Sequence, residues 1–400
     1  MPDRVFITGL GLITAIGKNF AGNLSSLLQQ ESGIGKVKYI DTLHRDDIPV
    51  AEVRASDEEL SAILGLDPRQ GYTRTALLSM IAAQEALQMA GVDPGDGLRN
   101  GVISATTVGG MVKSENYYLD FLNNDNSNVY IGTHDCGDAT EKVAFFLGFS
   151  GFMTTISTAC SSSINSIMLG ARMIRNGLLD RALVGGADAM SKFTINGFNT
   201  LMILDREGCK PFDQNRNGLT LGEGAAFLML ESEKAARLNG KKILAEVSGW
   251  GNANDAFHQT ASSPEGEGAV MAMRKALTVS NLKPEDIDYI NAHGTGTINN
   301  DLSEGKAIET IFGDRIPFVS STKPYTGHTL GAAGAVETVF SVMAIQHNLI
   351  FPNMGFKKPM EELHFTPVTE LIRNRMVNHV LTNSFGFGGN NSTLILSRPV

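Results

Sequence analysis

Cys160 stands where a β-prone run, residues 154–158, passes without a break into a helical pattern at Ile164, Ile167, Met168 and Ala171. Ser161, Ser162 and Ser163 offer cap-competent hydroxyls at that join. A thiol at a helix start meets unpaired amides and the positive dipole end, which favour the thiolate. That placement nominates Cys160 as a nucleophile. The competing reading is a buried cysteine serving as a small hydrophobe. Three further strand ends carry suitable groups: His293, His328 and the run Phe385-Gly386-Phe387-Gly388-Gly389. In α/β sheets ligands bind outside the carboxyl ends of strands, so a thiol, two imidazoles and a glycine loop there form one constellation. Taken singly, each histidine reads more readily as a structural residue. A Cys/His/His metal site lacks any local ligand motif.

The elements that must position these groups alternate along the chain. Strands are expected at residues 4–14, 101–107, 154–158, 181–188, 226–230, 243–250, 287–292 and 317–320. Residues 73–90 form an amphipathic helix closed by Gly91, and further helices are expected at 19–30, 161–175, 233–239 and 268–280. Residues 31–70 read as polar and irregular, with Arg45, Arg54 and Arg69 on the surface. Residues 111–150 read as helical and insertion-like, with a polar patch at Thr133-His134-Asp135-Cys136-Gly137-Asp138. A strand into Cys160 and a small-residue helix is echoed later by a strand, Lys323, His328 and the helix at Leu330-Gly-Ala-Ala-Gly-Ala-Val-Glu337. The alternation predicts α/β layers, and the echo predicts an internal duplication into halves 1–245 and 246–400.

The 400 residues carry a formal net charge of −9 spread without long runs, which disfavours generic nucleic-acid binding. The forty-three glycines cluster beside the suspected chemistry, as tight turns require. Three cysteines without a paired motif point to a reducing compartment, the cytoplasm. The apolar residues 5–16 follow Asp3 and are punctuated by Gly9 and Gly11, so they read as a strand rather than a signal peptide. No apolar run approaches the roughly 18 residues of a membrane span.

Seven motifs run in a fixed order: Thr158-Ala-Cys160-Ser-Ser; Gly185-Gly-Ala-Asp188; Pro211-Phe-Asp with Gly222-Glu-Gly-Ala225; Asn291-Ala-His293-Gly-Thr-Gly-Thr297; Ser321-Thr-Lys323 with Thr326-Gly-His328; Gly331-Ala-Ala-Gly334; and Asn383-Ser-Phe-Gly-Phe387-Gly-Gly389. In these the chain resembles the β-ketoacyl-acyl carrier protein synthases of the elongating type II class, over nearly its whole length. The resemblance implies the thiolase fold, two duplicated halves forming a five-layer α-β-α-β-α sandwich. It implies that Cys160 accepts an acyl group from a carrier protein, with the Cys160 and Phe387 amides as oxyanion hole. His293 and His328 would hold the thioester oxygen of malonyl-carrier protein during decarboxylation, and Lys323 with Glu304 would form a supporting charged pair. Phe387 and Phe198 would gate the acyl pocket, which Val108, His134 and Asp138 would also line. Asn291, Glu337 and Asn383 match a monovalent cation site of some members. No cofactor is implied, since phosphopantetheine arrives on the carrier; the implied partners are that carrier and a second subunit, either another copy or a chain-length partner.

Four positions depart from the pattern: Ile298-Asn-Asn300, Asn390 where threonine or histidine is usual, Met202 where a carrier-binding arginine is frequent, and the polar 133–138 patch. A thiolase would want a second catalytic cysteine, and neither Cys136 nor Cys209 lies in a comparable strand end. An initiating synthase would pair cysteine and histidine with asparagine, against which His328 speaks, and a silent chain-length partner should lack the nucleophile.

Overall fold

The computed structural model describes residues 4–67, 70–120, 122–238 and 240–399; Asp3, Arg69 and the last residue of the helix expected at 233–239 lie outside them. Ten strands make the main sheet: β1 (Val5–Thr14), β2 (Gly101–Ala105), β3 (Phe152–Ile156), β4 (Arg181–Asp188), β5 (Gly224–Ser232), β6 (Ala245–Asn254), β7 (Tyr289–Asn291), β8 (Phe318–Ser320), β9 (His379–Gly386) and β10 (Asn390–Ser397). Their order is β8-β7-β9-β10-β6-β1-β5-β4-β2-β3. Within each set of five, the order is third, second, fourth, fifth, first, with parallel and antiparallel pairings in the same places. The two sets meet only through Phe6–Glu246 and Ile7–Ala245. On this repeat we propose the division into halves 1–245 and 246–400.

The helices that matter here are α1 (Arg74–Ala90), α2 (Met111–Tyr117), α3 (Gly137–Leu147), α4 (Ser162–Arg175), α5 (Lys192–Thr200), α6 (Glu267–Ser280), α7 (Ile298–Phe312) and α8 (Ala333–His347). Between α2 and α3 the expected helical insertion breaks into two short 3-10 turns. Helices α4 and α8 lie between the two half-sheets and touch strands of both; α1 covers the outer face of the first, α6 and α7 that of the second. The result is five layers, α-β-α-β-α. Strand periodicity builds them: Leu228 and Leu230 of β5 face the middle layer with Ile164 and Phe340, while Phe227 and Met229 face α1 with Leu78 and Ile81. Each such fully buried side chain contributes roughly 1.5–3 kcal/mol. Thr73 caps α1 by accepting from the Ala76 amide, and Gly91 ends it with φ 58°. A Cβ on Gly11 would lie 2.1 Å from the Ala82 carbonyl oxygen, so the bare backbone of β1 is what lets α1 approach. Among the described residues no helix is long and apolar enough to cross a membrane.

Candidate active site

Cys160 sits four residues beyond β3, in a turn that leads into α4. Ala159, just before it, has φ 53°, a left-handed conformation that costs a non-glycine residue roughly 1–2 kcal/mol. The serines hold this turn instead of capping the helix, as the sequence suggested; Ser161 makes no side-chain cap bond. Ser161 Oγ donates to the Thr158 carbonyl at 2.7 Å, Ser162 Oγ accepts from the Thr158 amide at 2.8 Å, and Ser163 Oγ accepts from the Ala335 amide at 2.9 Å. The last bond ties α4 to α8 across the middle layer. From β9, Ser384 donates to the Cys160 carbonyl at 2.8 Å. A Cβ on Gly386 would meet the Thr158 carbonyl oxygen at 3.0 Å and the Cys160 nitrogen at 3.1 Å, so this glycine admits the gate loop against the nucleophile.

Cys160 is buried, and burial pushes its thiol up to about 12; the Lys323 charge and the amides of Phe387 and Cys160 pull the other way. The expectation of a thiolate favoured by the helix start is therefore corrected: desolvation outweighs the local amides. Those two amides nonetheless converge on one sulfur from opposite halves of the chain.

His293 follows β7, and its amide and that of Gly294 each donate to the Glu304 carboxylate at 2.8 Å. Lys323 reaches His293 Nδ1 at 3.2 Å. An ammonium has no lone pair, so Nδ1 is the acceptor and Nε2 carries the ring proton. Burial first, then the Lys323 and His328 neighbours, hold His293 well below its usual pKa. His328 is likewise held low by burial and Lys323. The rings stand edge to face with centroids 5.2 Å apart, and His328 Nε2 lies 3.0 Å from Cys160 Sγ. The sulfur and one nitrogen of each imidazole all lie within 4.8 Å of one another. The Lys323 ammonium on His293 makes this a poor place for a second cation.

The expected Lys323–Glu304 pair does not form. Lys323 pairs with Glu337 of α8, while Glu304 is spent on two backbone amides and on Asn383 Nδ2 at 3.0 Å. The reason is geometric: α8 returns beneath Lys323, and Glu304 on α7 faces the start of the His293 loop. Burial raises the Glu337 carboxyl to about 7 although Lys323 lowers it.

Phe387 and Phe198 stack with centroids 5.8 Å apart, Phe198 being presented by α5. With Cys160, His293 and His328 they line one cavity of about 260 Å³, whose mouth includes Met202. Gly388 has φ 80° and donates its amide to the Gln259 carbonyl at 2.7 Å, while Asn254 Nδ2 donates to the Gly388 carbonyl at 2.8 Å. This latch on the gate, from the last residue of β6 and the polar stretch after it, was missed; its position at a strand end was the available signal. Val108 packs behind Phe198 among Ile195, Ile203 and Leu330 and does not line the cavity. His134 is exposed, with Ser114 Oγ at 2.8 Å from Nδ1, and Asp138 pairs with Lys142 at 2.9 Å; neither reaches the Cys160 cavity within this chain. Asn291, Glu337 and Asn383 are all buried; Asn291 Oδ1 and Glu337 Oε2 have no hydrogen-bond partner among the described residues, whereas Asn383 Oδ1 accepts from Thr393.

Residues 2–236 match the family model for the beta-ketoacyl synthase N-terminal domain, and residues 244–357 match that for the C-terminal domain. A 3-oxoacyl-[acyl-carrier-protein] synthase 2 of Coxiella burnetii is 34% identical over 409 aligned residues, covering 99% of this chain and 98% of that one. Nodulation protein E of Rhizobium meliloti is also 34% identical, covering 98% and 99%. Among solved structures, the ishigamide ketosynthase/chain length factor has a TM-score of 0.93 at 32% identity, covering all of both chains. The ketosynthase ApeO in complex with its chain length factor ApeC, from Xenorhabdus doucetiae, has a TM-score of 0.86 at 30% identity, covering 99% and 98%. With this fold, this cysteine–histidine cluster and these matches over both halves, the chain belongs to the beta-ketoacyl synthase family.

Proposed function

We infer that this chain catalyses decarboxylative Claisen condensation of an acyl thioester with malonyl-acyl carrier protein, giving 3-oxoacyl-acyl carrier protein in fatty-acid or polyketide synthesis. The observation that carries this reading is the cluster of Cys160 with two neutral, buried histidines at one cavity. In the first half-reaction Cys160 sulfur attacks the carrier-bound acyl carbonyl, the carrier's C–S bond breaks, and the thiol proton leaves on the pantetheine sulfur. The Cys160 and Phe387 amides receive the transient oxyanion, one such donor being worth about 3 kcal/mol.

In the second half-reaction malonyl-carrier loses carbon dioxide, and the electron pair of the broken C–C bond becomes an enolate. His293 offers Nε2–H to its oxygen, a donor that Lys323 holds in the right tautomer. His328 is the second donor. The enolate carbon attacks acyl-Cys160, the C–S bond breaks, and the released sulfur takes up one proton. Phe387 and Phe198 gate the acyl entrance.

The partners are an acyl carrier protein and a second subunit, a copy of this chain or a chain-length partner. Phosphopantetheine comes with the carrier, and the chemistry calls on no cofactor of the enzyme's own. The unpaired thiols fit the reducing cytoplasm. A monovalent cation held by Asn291, Glu337 and Asn383 fits the two orphaned oxygens there, and it would brace β7, α8 and β9 against one another.

His293 makes no hydrogen bond to Cys160, whereas His328 does, so His293 gives the cleaner separation of the half-reactions. His293→Ala should still take an acyl group on Cys160 while carbon dioxide release from malonyl-carrier falls by about 100-fold or more. Carbon dioxide release at the parental rate would overturn the role. Mass spectrometry of the acyl-enzyme and a radiolabelled carbon dioxide assay read the two steps separately.

A further inference from the structure

The two amides that meet Cys160 sulfur come from different chain segments. The Cys160 amide belongs to the 158–161 turn of the first half, and the Phe387 amide to the gate loop of the second. Asn390 follows that loop directly and opens β10. Its Oδ1 accepts from Asn252 Nδ2 at 2.8 Å and Asn165 Nδ2 at 3.1 Å, and lies 2.7 Å from Ser161 Oγ, whose one proton it shares with the Thr158 carbonyl. The donors sit on the nucleophile turn, on β6 and on α4. The network closes on itself: Asn165 Nδ2 also donates to Thr158 Oγ1 at 2.9 Å, and Asn165 Oδ1 accepts from Ser392 Oγ at 2.8 Å. With the Asn165 and Asn252 NH2 groups turned toward it, the Asn390 amide presents its oxygen to both.

We propose that Asn390 is a positioning residue that sets the spacing between the two halves of the oxyanion hole. One oxygen gathers the residue beside Cys160 and, through its own backbone, the loop that carries Phe387. The proposal rests on the condensing-enzyme reading, whose acyl transfer to Cys160 is the step that uses both amides. An oxyanion hole depends on donors held at about 2.7–3.1 Å from the developing charge, so a small spread of the segments matters. A threonine at this position would carry its oxygen one bond closer to the backbone and would not occupy the same point. Here the side chain reaches far enough for two amides and the Ser161 hydroxyl to meet at it.

Asn390→Leu keeps the bulk and removes the acceptor; Asn390→Asp keeps the acceptor and its shape. The leucine variant should load acyl groups from acyl-carrier protein at least about tenfold more slowly, with KM for the carrier unchanged. Its reaction with iodoacetamide should fall much less than its loading, because alkylation forms no oxyanion and loses only the pull of those amides on the thiolate. The aspartate variant should recover most of the loading rate. Unchanged loading in Asn390→Leu would overturn the proposal, and so would alkylation falling in parallel or an aspartate variant as slow as the leucine one. A parental enzyme that alkylates at Cys160 yet accepts no acyl group from any carrier thioester would overturn the condensing reading and this proposal with it. Failure of the proposal alone shows instead as a parent that loads while the variants do not split.

Discussion

Cys160 and the two histidines occupy ground that resists charge of either sign. Burial pushes the thiol up to about 12 and keeps both imidazoles neutral well below 6.5. An unfolded cysteine ionises near about 8.5, so as pH rises above that value the unfolded chain loses a proton that the folded chain keeps. Stability contributed by this site therefore falls as pH climbs from about 8.5 toward 12. The histidines act on the other side: as pH drops through about 6.5 the unfolded chain gains protons that the folded chain refuses, and stability falls again. The prediction for Cys160 is direct. Its alkylation rate should keep rising between about pH 8 and pH 10, and Cys160→Ala should lose less stability in that range. A rate that levels off near about pH 8 would show a thiol tuned by the helix start after all. The sequence could name Cys160 because strand-to-helix pattern is local. It could not weigh desolvation against amides, since the groups that bury the sulfur come from residues 293, 328 and 387.

The elements that were most legible are those whose period and caps agree. Thr73, the apolar face of α1 and Gly91 mark one helix from three independent signals, and α1 begins and ends where they say. What stayed hidden depends on how elements meet. Lys323 takes Glu337 rather than Glu304 because α8 passes under it, a relation that no spacing along the chain encodes. The serines at α4 hold the turn and cross to α8 because Gly334 lets the helices close up; a Cβ there would lie 2.4 Å from Ile164 Cγ1. The gate loop follows the same logic. Gly388 adopts φ 80° with open space where a Cβ would be, so glycine is there for conformation and not for room. Gly388→Val should cost roughly 1–2 kcal/mol in that conformation and pull the amide from Gln259. Acyl transfer should slow by about tenfold while thermal unfolding stays cooperative. Unchanged transfer kinetics in a folded variant would argue against a loop that must hold and release its latch.

At the scale of the whole molecule, the ten-stranded sheet has two edges and treats them differently. The β8 edge is closed from within: the Val368 amide donates to the Val319 carbonyl, and Val319 and Ser320 are buried. The β3 edge pairs only with β2, and its sequence Phe-Met-Thr-Thr-Ile carries no charge or proline to blunt it. Phe152 and Met153 are 39% and 46% exposed, and Phe145 on the adjoining α3 is 88% exposed, which together make an apolar edge that water does not suit. This is where the proposed second subunit should add. Met153→Lys places a charge on that edge and should shift the protein toward the 42.9 kDa monomer in sedimentation. The same assembly decides what the 133–138 patch does. Asp138 already has Lys142, and His134 already has Ser114, so neither is a bare polar group awaiting a polar acyl end. Neither reaches the Cys160 cavity within one chain, so an effect on the substrate requires a neighbouring subunit to bring the patch to it. His134→Ala and Asp138→Ala should therefore change the loading ratio of saturated to hydroxyaryl-polyene acyl carriers in the assembled enzyme. In a Met153→Lys background the two substitutions should leave that ratio where it was. Equal ratios in the assembled parent and both variants would place the patch outside the acyl pocket altogether.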